Sequence, residues 1–451
     1  MIGFETIGSA TIIAYDDVPV LTTDAWVNDD AYFGSWTHDY EIPSAQMDAI
    51  RRARYHWFSH GHPDHLNIDA LPMLTGGQFL LSDHYGKRIY NDLVGAGHNV
   101  RILRDRVWEQ LSPRIKVCSF ANQNQDSVLL IDVNGRLVID ANDSPDFGAS
   151  WHIRRIAKRY GLVYLCQLHG WGGADMLNLY DPAGRPLTDI AAKRRAIAPR
   201  AQRAALQFGA NRVIPFSSFH RFQRADSVWA NALVPELADY QAEARPGGPQ
   251  MLPAFVQVDC ETDGVTELAP ARLPLDVRPP EAFGDNWSDP LEDADLPIIE
   301  RYFRERAHLA RHFGFIEVKA GGRSHAVRLN PALKDRGITF EAPRHSLMTS
   351  LEWQIFDDML IGNYMKTTLH GVDSLYPDFS PYVAKFADNG GAKSERELNV
   401  YFHHYQMRDP IGLLMTRFAT ASEQWVRSCF GEDTRAFRAA KKIYYSLSAR
   451  R

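Results

Sequence analysis

The segment from residue 60 to residue 65 places three histidines and one aspartate within six positions, as His60-Gly61-His62-Pro63-Asp64-His65. It comes just after the apolar-rich run Tyr55-His56-Trp57-Phe58, which is typical of a buried strand. Neutral imidazole and carboxylate are ligands that suit zinc, iron and similar divalent metals. A strand that ends abruptly in a loop can direct His60 and His62 to one side and Asp64 and His65 to the other. The segment therefore predicts a metal centre with two adjacent positions.

This segment resembles the H-x-H-x-D-H signature of the metallo-β-lactamase superfamily. The first 27 residues alternate strand-like runs with turns, as in the β-hairpin with which that family begins. The stretch Leu21-Thr22-Thr23-Asp24-Ala25-Trp26 is similar to the family's early aspartate motif. The resemblance implies that Asp24 accepts a ring N–H from a ligating histidine and fixes the tautomer of that histidine.

The resemblance also implies an aspartate that bridges two metals, at the end of a later strand. Asp143 follows the apolar run Leu137-Val138-Ile139 and lies in a turn between Asn142 and Ser144-Pro145. Asp140 and Asp146 are the alternatives if the register differs. We expect Asp64 and Asp143 to act in catalysis as well, by orienting a water molecule or relaying its proton.

The family's last histidine ligand normally follows a strand with an Ile-Pro element. Here that strand is Val213-Ile214-Pro215-Phe216, which indicates His220. His169 is the alternative, because it ends a predicted buried strand and opens a glycine-rich loop suited to ligand contact.

One histidine of the family pattern is absent. The stretch before the predicted strand at Ser127 contains Asn122, Gln123 and Asp126 but no histidine. One of these residues would substitute through oxygen, or one metal would keep an extra water. Fewer imidazoles and more oxygen ligands favour a mononuclear or a di-iron site over two zincs. We therefore expect a divalent metal cofactor, either one or two zinc ions or iron.

A narrower resemblance is to the CMP-N-acetylneuraminate hydroxylase family and its bacterial relatives. It is carried by Thr23-Asp24-Ala25-Trp26, the metal loop, Asn142-Asp143 and the stretch from Leu351 to Tyr364. That family also uses a Rieske iron–sulfur cluster, which requires paired C-x-H and C-x-x-H elements. Cys166 and His169 have the second spacing, but the chain contains no C-x-H. An oxygenase of this sequence would therefore need an external electron donor.

The resemblance implies an α/β fold, an αββα metallo-β-lactamase sandwich with a C-terminal, mainly helical α+β extension. We divide the 451 residues into a metal-binding domain at 1–229, a proline-rich connection at 230–296 and a C-terminal domain at 297–451. Asn134-Gly135 between apolar runs predicts a hairpin, as does Gly321-Gly322 within 315–329. The stretch from Ser350 to Leu369 is predicted to be a helix.

Composition restricts the partners. The formal net charge of −5 does not favour binding to nucleic acid, which is itself negatively charged. The sequence shows neither a signal pattern nor an apolar run long enough to cross a bilayer, so we expect a cytoplasmic protein acting on a small molecule. The four cysteines are scattered, which fits ordinary core thiols.

Three functions compete at this point. The first is a metallohydrolase that uses a metal-activated water on a phosphoester, lactone or amide. The second is an iron-dependent oxygenase or hydroxylase acting on a sugar-nucleotide-like or other small metabolite. The third is a non-catalytic metal-binding protein. We favour hydrolysis.

Overall fold

The computed structural model describes residues 1–27, 30–144, 146, 149–168, 176–187, 197–217, 219–240, 246–408, 410 and 414. Two large sheets, each built from strands with mostly buried side chains, form the first part of the molecule. The first sheet has eight strands, in the spatial order Val265–Glu267 (β18), Val256–Asp259 (β17), Ile2–Ile7 (β1), Thr11–Asp16 (β2), Val18–Thr23 (β3), Tyr55–Phe58 (β5), Gln78–Ser82 (β6) and Val100–Leu103 (β7).

The second sheet has seven strands and contains the predicted Asn-Gly hairpin. Their order is Gln250–Met251 (β16), Arg212–Pro215 (β14), Val163–Gln167 (β12), Arg136–Asn142 (β11), Ser127–Val133 (β10), Ile115–Ala121 (β9) and Trp108–Ser112 (β8). Asn134 and Gly135 have φ values of 49° and 80°. Two successive positive φ values are what a type I′ hairpin turn requires, so this prediction is confirmed.

The two sheets pack face to face through one apolar layer, with helices on the outside. Phe4, Ile12 and Trp57 of the first sheet share this layer with Ile131 and Ile214 of the second. The outer faces are covered by Ser44–Arg52 (α1) and Arg88–Gly95 (α2) on one side and by Ala149–Ala157 (α3) and Ile197–Phe208 (α4) on the other. The mixed α/β architecture is therefore the predicted αββα sandwich.

Parallel pairing brings several strand ends to one edge of this sandwich. Strand β3 runs parallel to β5, with Thr23 opposite Trp57, so the residues that follow both strands are neighbours. In the second sheet β11, β12 and β14 are also parallel. Asp24, the metal loop, Asp143 and Ser217 all follow such strand ends, as expected for ligand sites in sheets of this kind.

The C-terminal part forms a second core around a five-stranded sheet. The strands are Leu179–Tyr180 (β13), Lys366–His370 (β22), Gly337–Glu341 (β21), Phe315–Ala320 (β19) and Arg323–Arg328 (β20). The hairpin predicted at Gly321-Gly322 is confirmed, since Ala320 pairs with Arg323. Helices accompany the sheet: Asp295–Glu305 (α5), Arg344–Trp353 (α6), Phe356–Ile361 (α7), the π-helix Pro381–Asn389 and Glu395–Arg408 (α8).

Shorter elements complete the described chain. A two-stranded sheet pairs Trp36–His38 (β4) with His220–Phe222 (β15). Turns of 3₁₀ helix span Ile68–Leu74, Val228–Ala232, Leu237–Tyr240, Pro280–Phe283, Ala307–Arg311 and Pro331–Leu333. Cys118, Cys166 and Cys260 are buried free thiols, whereas Cys429 lies outside the described residues. None of the helices in the described ranges has the length and apolar character needed to cross a membrane.

The helix predicted from Ser350 to Leu369 is wrong. The stretch contains the end of α6, the short helix α7 and strand β22. Gln354 and Asn363, which separate these elements, have positive φ values of 55° and 57°. A left-handed residue cannot continue a right-handed helix, so the chain turns at both points.

The proposed connection contributes to both sheets of the sandwich. Strands β17 and β18 extend the first sheet beyond β1, and β16 extends the second sheet beyond β14. In the opposite direction, β13 leaves the sandwich segment and pairs with β22 of the C-terminal sheet. The boundaries at 229 and 297 remain a proposal. Strands on either side of each boundary pair with one another.

Arg224 joins the sandwich to the rest of the chain. Its guanidinium is fully buried, 2.8 Å from a carboxylate oxygen of Asp226 and 2.7 Å from one of Asp285. The guanidinium carbon also lies 4.0 Å from the centre of the Tyr364 ring, a cation–π contact. One side chain thereby connects the sandwich, the connection and the C-terminal core.

We predict that Arg224→Met lowers the free energy of unfolding by about 3–5 kcal/mol, because Asp285 then stays buried without its cation. Denaturant unfolding followed by circular dichroism measures the loss. Arg221→Met is the matched control, since Arg221 is 28% exposed and lies 3.6 Å from Asp39. That substitution should cost less than about 1 kcal/mol. Equal losses in the two variants would contradict the assignment.

Candidate metal centre

Asp24 holds the start of the metal loop. It is fully buried, and its φ of 37° turns the chain sharply at the end of β3. Its Oδ1 accepts a hydrogen bond of 2.7 Å from the backbone N–H of Ser59, the residue before His60. Its Oδ2 accepts a hydrogen bond from the side-chain amide of Asn142, next to Asp143. One carboxylate therefore fixes both loops that carry predicted ligands.

The same carboxylate orients His65. Its Oδ2 lies 3.1 Å from Nδ1 of the buried His65 ring. The opposite ring nitrogen, Nε2, is 3.3 Å from Oδ2 of Asp64 and 3.4 Å from Oδ2 of Asp143. His65 thus has one nitrogen on an orienting carboxylate and the other facing two candidate ligands, the arrangement typical of metal-binding histidine.

His60 and His62 face each other through one nitrogen each. Nε2 of His60 and Nδ1 of His62 are 2.7 Å apart. Their remaining nitrogens are also engaged, His60 Nδ1 with Ser59 Oγ at 2.8 Å and His62 Nε2 with Asp357 Oδ2 at 2.9 Å. Ligand atoms about 2.0–2.2 Å from one metal are themselves about 3 Å apart, so these two inner nitrogens have a suitable separation.

Two hydroxyl groups position the carboxylates of Asp64 and Asp143. The Tyr32 hydroxyl donates a hydrogen bond of 2.5 Å to Asp64 Oδ1, and Ser217 Oγ donates one to Asp143 Oδ1. Burial and the charge of Asp64 raise the pKa of Tyr32 well above its usual range, so Tyr32 remains a donor at neutral pH. Each carboxylate keeps its second oxygen directed toward His65.

The electrostatics of the cluster favour positive charge at its centre. Burial alone would lower the pKa of His65, but Asp64, Asp143 and Asp24 raise it well above the ordinary value. Burial would raise the pKa of Asp64, but the His65 ring lowers it. By contrast, burial and the neighbouring His65 and His62 lower the pKa of His60, which keeps that ring neutral and able to bind a metal.

The C-terminal part adds charged side chains that the sequence analysis did not predict. Asp357 and Asp358, both on α7, are buried beside His62. Lys385, on the π-helix, has its ammonium 3.6 Å from Asp126 Oδ1 and is surrounded by further carboxylates. Burial would lower the pKa of Lys385, but Asp126, Asp357 and Asp143 raise it, so the amine stays charged.

The donor set fits a divalent metal. Within the described residues, two groups of three side chains place their ligand atoms within 4.8 Å of one another. One group is His60, His65 and Asp143; the other is His62, Asp357 and Asp358. Imidazole and carboxylate at this spacing suit zinc, iron and related ions. Several buried carboxylates against one buried lysine also leave negative charge that such an ion would neutralise.

The candidates for the absent histidine have other partners. Asp126 accepts a hydrogen bond of 2.7 Å from the Asn124 amide in addition to its ion pair with Lys385. Asn122 donates to Ser144 Oγ at 2.8 Å, and its side-chain oxygen accepts from the backbone N–H of Asn124. The backbone carbonyl of Gln123 accepts from the Tyr401 hydroxyl. These residues belong to a hydrogen-bonded turn beside the centre.

Four further candidates remain. The His220 ring stacks on Trp36 with centroids 3.4 Å apart and is in neither group of three. His169 lies outside the described residues. Asp140 is buried on β11, where burial and the charge of Asp24 raise its pKa well above the usual range. Asp146 accepts hydrogen bonds from the backbone and the hydroxyl of Ser150 at the start of α3.

Tyr32, Ser217 and Lys385 carried no recognisable signal in the sequence, because each contacts a predicted ligand far away along the chain. Asp357 and Asp358 carried a partial signal in the sequence. They lie inside the stretch from Leu351 to Tyr364 that contributed to the narrower resemblance, and a pair of adjacent acids in an otherwise apolar short segment is unusual for a buried helix.

Comparison with known proteins gives a limited sequence match. No family model matches the chain. A cytidine monophosphate-N-acetylneuraminic acid hydroxylase from Asterias rubens is 24% identical over 133 residues, which cover 28% of this chain and 20% of the relative. The chain thus matches about a fifth of the length of that protein.

Solved structures of the metallo-β-lactamase fold are similar to this chain at low identity. A diiron β-hydroxylase from Streptomyces venezuelae is 15% identical with a TM-score of 0.35, over 59% of this chain and 54% of that one. An isothiocyanate hydrolase from Delia radicum gut bacteria is 10% identical with a TM-score of 0.32, over 48% and 85% of the two chains. The human short-form tRNase Z is 12% identical with a TM-score of 0.26, over 47% and 86%.

Proposed function

We propose that this chain is a metal-dependent hydrolase that acts on a phosphoester, lactone or amide of a small molecule. The observation that carries the proposal is the orientation of the three imidazoles of the metal loop. Each ring has one nitrogen held by Ser59, Asp357 or Asp24, and the other turned toward a neighbouring ligand candidate. A loop that was merely rich in histidine would have no reason to hold all three rings in this way.

His60, His62, Asp64, His65 and Asp143 are the proposed ligands in this centre. The chemistry that a bound divalent ion supplies is a lower pKa for a water ligand, toward about 7, and polarisation of a substrate oxygen. Asp64 and Asp143 each hold one oxygen on a hydroxyl donor, which leaves the other oxygen to orient water or accept its proton. His220 stays a prediction from the sequence, because its ring stacks on Trp36 and it belongs to neither group of three.

A small pocket lies beside His60. Ser59, His60, His84 and Lys87 are among its lining residues, together with Ile89 and Tyr90 of α2. Its volume of about 20 Å³ has room for about one water molecule next to the proposed ligand His60.

An iron-dependent oxygenase is the second candidate, and the carboxylates favour it. Asp64, Asp143, Asp357 and Asp358 give the centre more oxygen donors than a site dominated by histidine, which suits iron. The matched relative from Asterias rubens is named as a hydroxylase, in agreement with this candidate. This function would require an external electron donor.

We predict that protein purified without added metal contains about two divalent ions per chain, and that His60→Ala loses at least one of them. The reason is that Nε2 of His60 lies 2.7 Å from the inner nitrogen of His62, where one ion is expected. Elemental analysis of both proteins measures the content. If the bound metal is zinc, phosphoesters and lactones are the substrates to test first.

If the same preparation contains iron and shows an oxygen-sensitive absorption band, the oxygenase becomes the favoured function in place of the hydrolase. A wild-type protein free of metal, or a His60→Ala variant with unchanged content, would overturn both candidates. His152→Ala is a suitable control for the removal of a histidine, because His152 lies on α3, beside the ring of Trp151 and outside both groups of three.

We also predict that Asp24→Asn weakens metal binding by about 10- to 100-fold, because His65 loses the carboxylate that orients its ring. Competition with a chelator measures the affinity. Asp140→Asn changes a neighbouring buried carboxyl that hydrogen-bonds no histidine within the described chain, so it should leave the affinity unchanged. Equal weakening by both substitutions would contradict a specific role for Asp24.

A further inference from the structure

Helix α7 brings two consecutive carboxylates to the metal loop from nearly 300 residues away in the sequence. Asp357 and Asp358 follow the break at Gln354, whose positive φ turns the chain between α6 and α7. Both side chains are more than nine-tenths buried, and their oxygens lie within 4.8 Å of a ring nitrogen of His62. The C-terminal part therefore reaches into the predicted centre.

The two acids have different surroundings. Asp357 Oδ2 is 2.9 Å from Nε2 of His62, the nitrogen that faces away from His60. This contact resembles that of Asp24 with Nδ1 of His65. A metal-binding histidine commonly donates its outer ring N–H to a carboxylate in this way, which fixes the ring and leaves the inner nitrogen for the ion.

Asp358 has no such donor. No described residue hydrogen-bonds its carboxylate, and its strongest charged neighbours are Asp357 and Asp64, which repel it. A buried carboxyl group without a donor, placed beside two further acids, is costly unless a cation accompanies it. The cations that act on Asp358 are Lys385 and Arg88, and the ammonium of Lys385 is paired with Asp126.

The position that lacks a ligand is the one beside His60 and His62. The predicted substitutes on the 122–126 turn bind other partners, with Asp126 held by both Lys385 and Asn124. His220 stacks on Trp36 and lies in neither group of three. Asp358 is thus the buried, unpartnered oxygen donor next to His62 in the described chain.

We propose that the C-terminal part completes the metal centre: Asp358 is a ligand of the ion bound by His62, and Asp357 positions the His62 ring. The proposal rests on the proposed function, because it assumes that the loop binds metal. It replaces the absent histidine by a carboxylate supplied from the other core. The ligand is a divalent cation, and the centre is incomplete until α7 docks on the loop.

Titration of metal-free protein with Co²⁺ tests the proposal, because the visible absorption of Co²⁺ reports the ligands of each bound ion. We expect Asp358→Asn to lose the binding step that His62→Ala also loses, and to keep the step that depends on His65. We expect Asp357→Asn to retain both steps but to weaken the His62 step by about 10- to 100-fold. Glu352→Gln, an exposed acid on α6, is the matched control and should bind as wild type.

Each alternative result has a distinct meaning. Binding of both ions by Asp358→Asn with wild-type affinity would overturn the inference and leave the proposed function intact. Complete loss of the His62 step in Asp357→Asn would also overturn it, because Asp357 would then be the ligand. Failure of wild-type protein to bind Co²⁺ would instead overturn the proposed function itself.

Thermal unfolding separates a ligand from a structural residue. Without metal, Asp358→Asn should melt close to the wild-type temperature, because the carboxyl group that it changes makes no hydrogen bond to a described residue. With saturating Co²⁺, the same variant should melt lower than wild type, because it binds one ion less. A lower melting temperature in both conditions would assign Asp358 a structural role and contradict the proposal.

Discussion

The organisation of the centre depends on the carboxylate of Asp24. It is buried at the edge of the first sheet and accepts hydrogen bonds from the backbone of the metal loop and from the loop that carries Asp143, while it also orients the His65 ring. These contacts connect the two sheets at the point where their parallel strands end. Because a buried charge must be fully hydrogen-bonded to be tolerated, Asp24 leaves both loops little freedom to move.

Positive φ values occur at the same edge. Asp24, Asn142 and Ser217 each have a left-handed backbone, although none of them is glycine. Each such residue costs about 1–3 kcal/mol and persists only where the surrounding contacts determine it. Here the surrounding contacts are those of the candidate centre. The backbone strain at Asp24, Asn142 and Ser217 is therefore tied to the orientation of the side chains in that centre.

The sequence was sufficient for the parts of the structure that are local. The segment from His60 to His65, the aspartate motif at Asp24 and the turn at Asn134-Gly135 are contiguous patterns with a direct physical meaning. Tyr32 and Lys385 could not be predicted, because each contacts a predicted site residue far away along the chain. Asp357 carried a partial signal, but its contact with His62 depends on how the two cores pack. The helix expected from 350 to 369 failed for a related reason. The left-handed residues Gln354 and Asn363 interrupt it, and only Asn363 is of a residue type that commonly ends helices.

Strand β13 has a consequence for how the molecule can be divided. Leu179 and Tyr180 lie within the sandwich segment of the chain, yet they pair with Thr367 and Thr368 of the C-terminal sheet. A fragment ending before residue 297 would keep β13 but lose its partner, leaving an unpaired strand edge open to aggregation. The same fragment would lose β22 and α7 together. The two cores are therefore interleaved along the chain. Truncation at the connection would produce an incomplete protein rather than an independent domain.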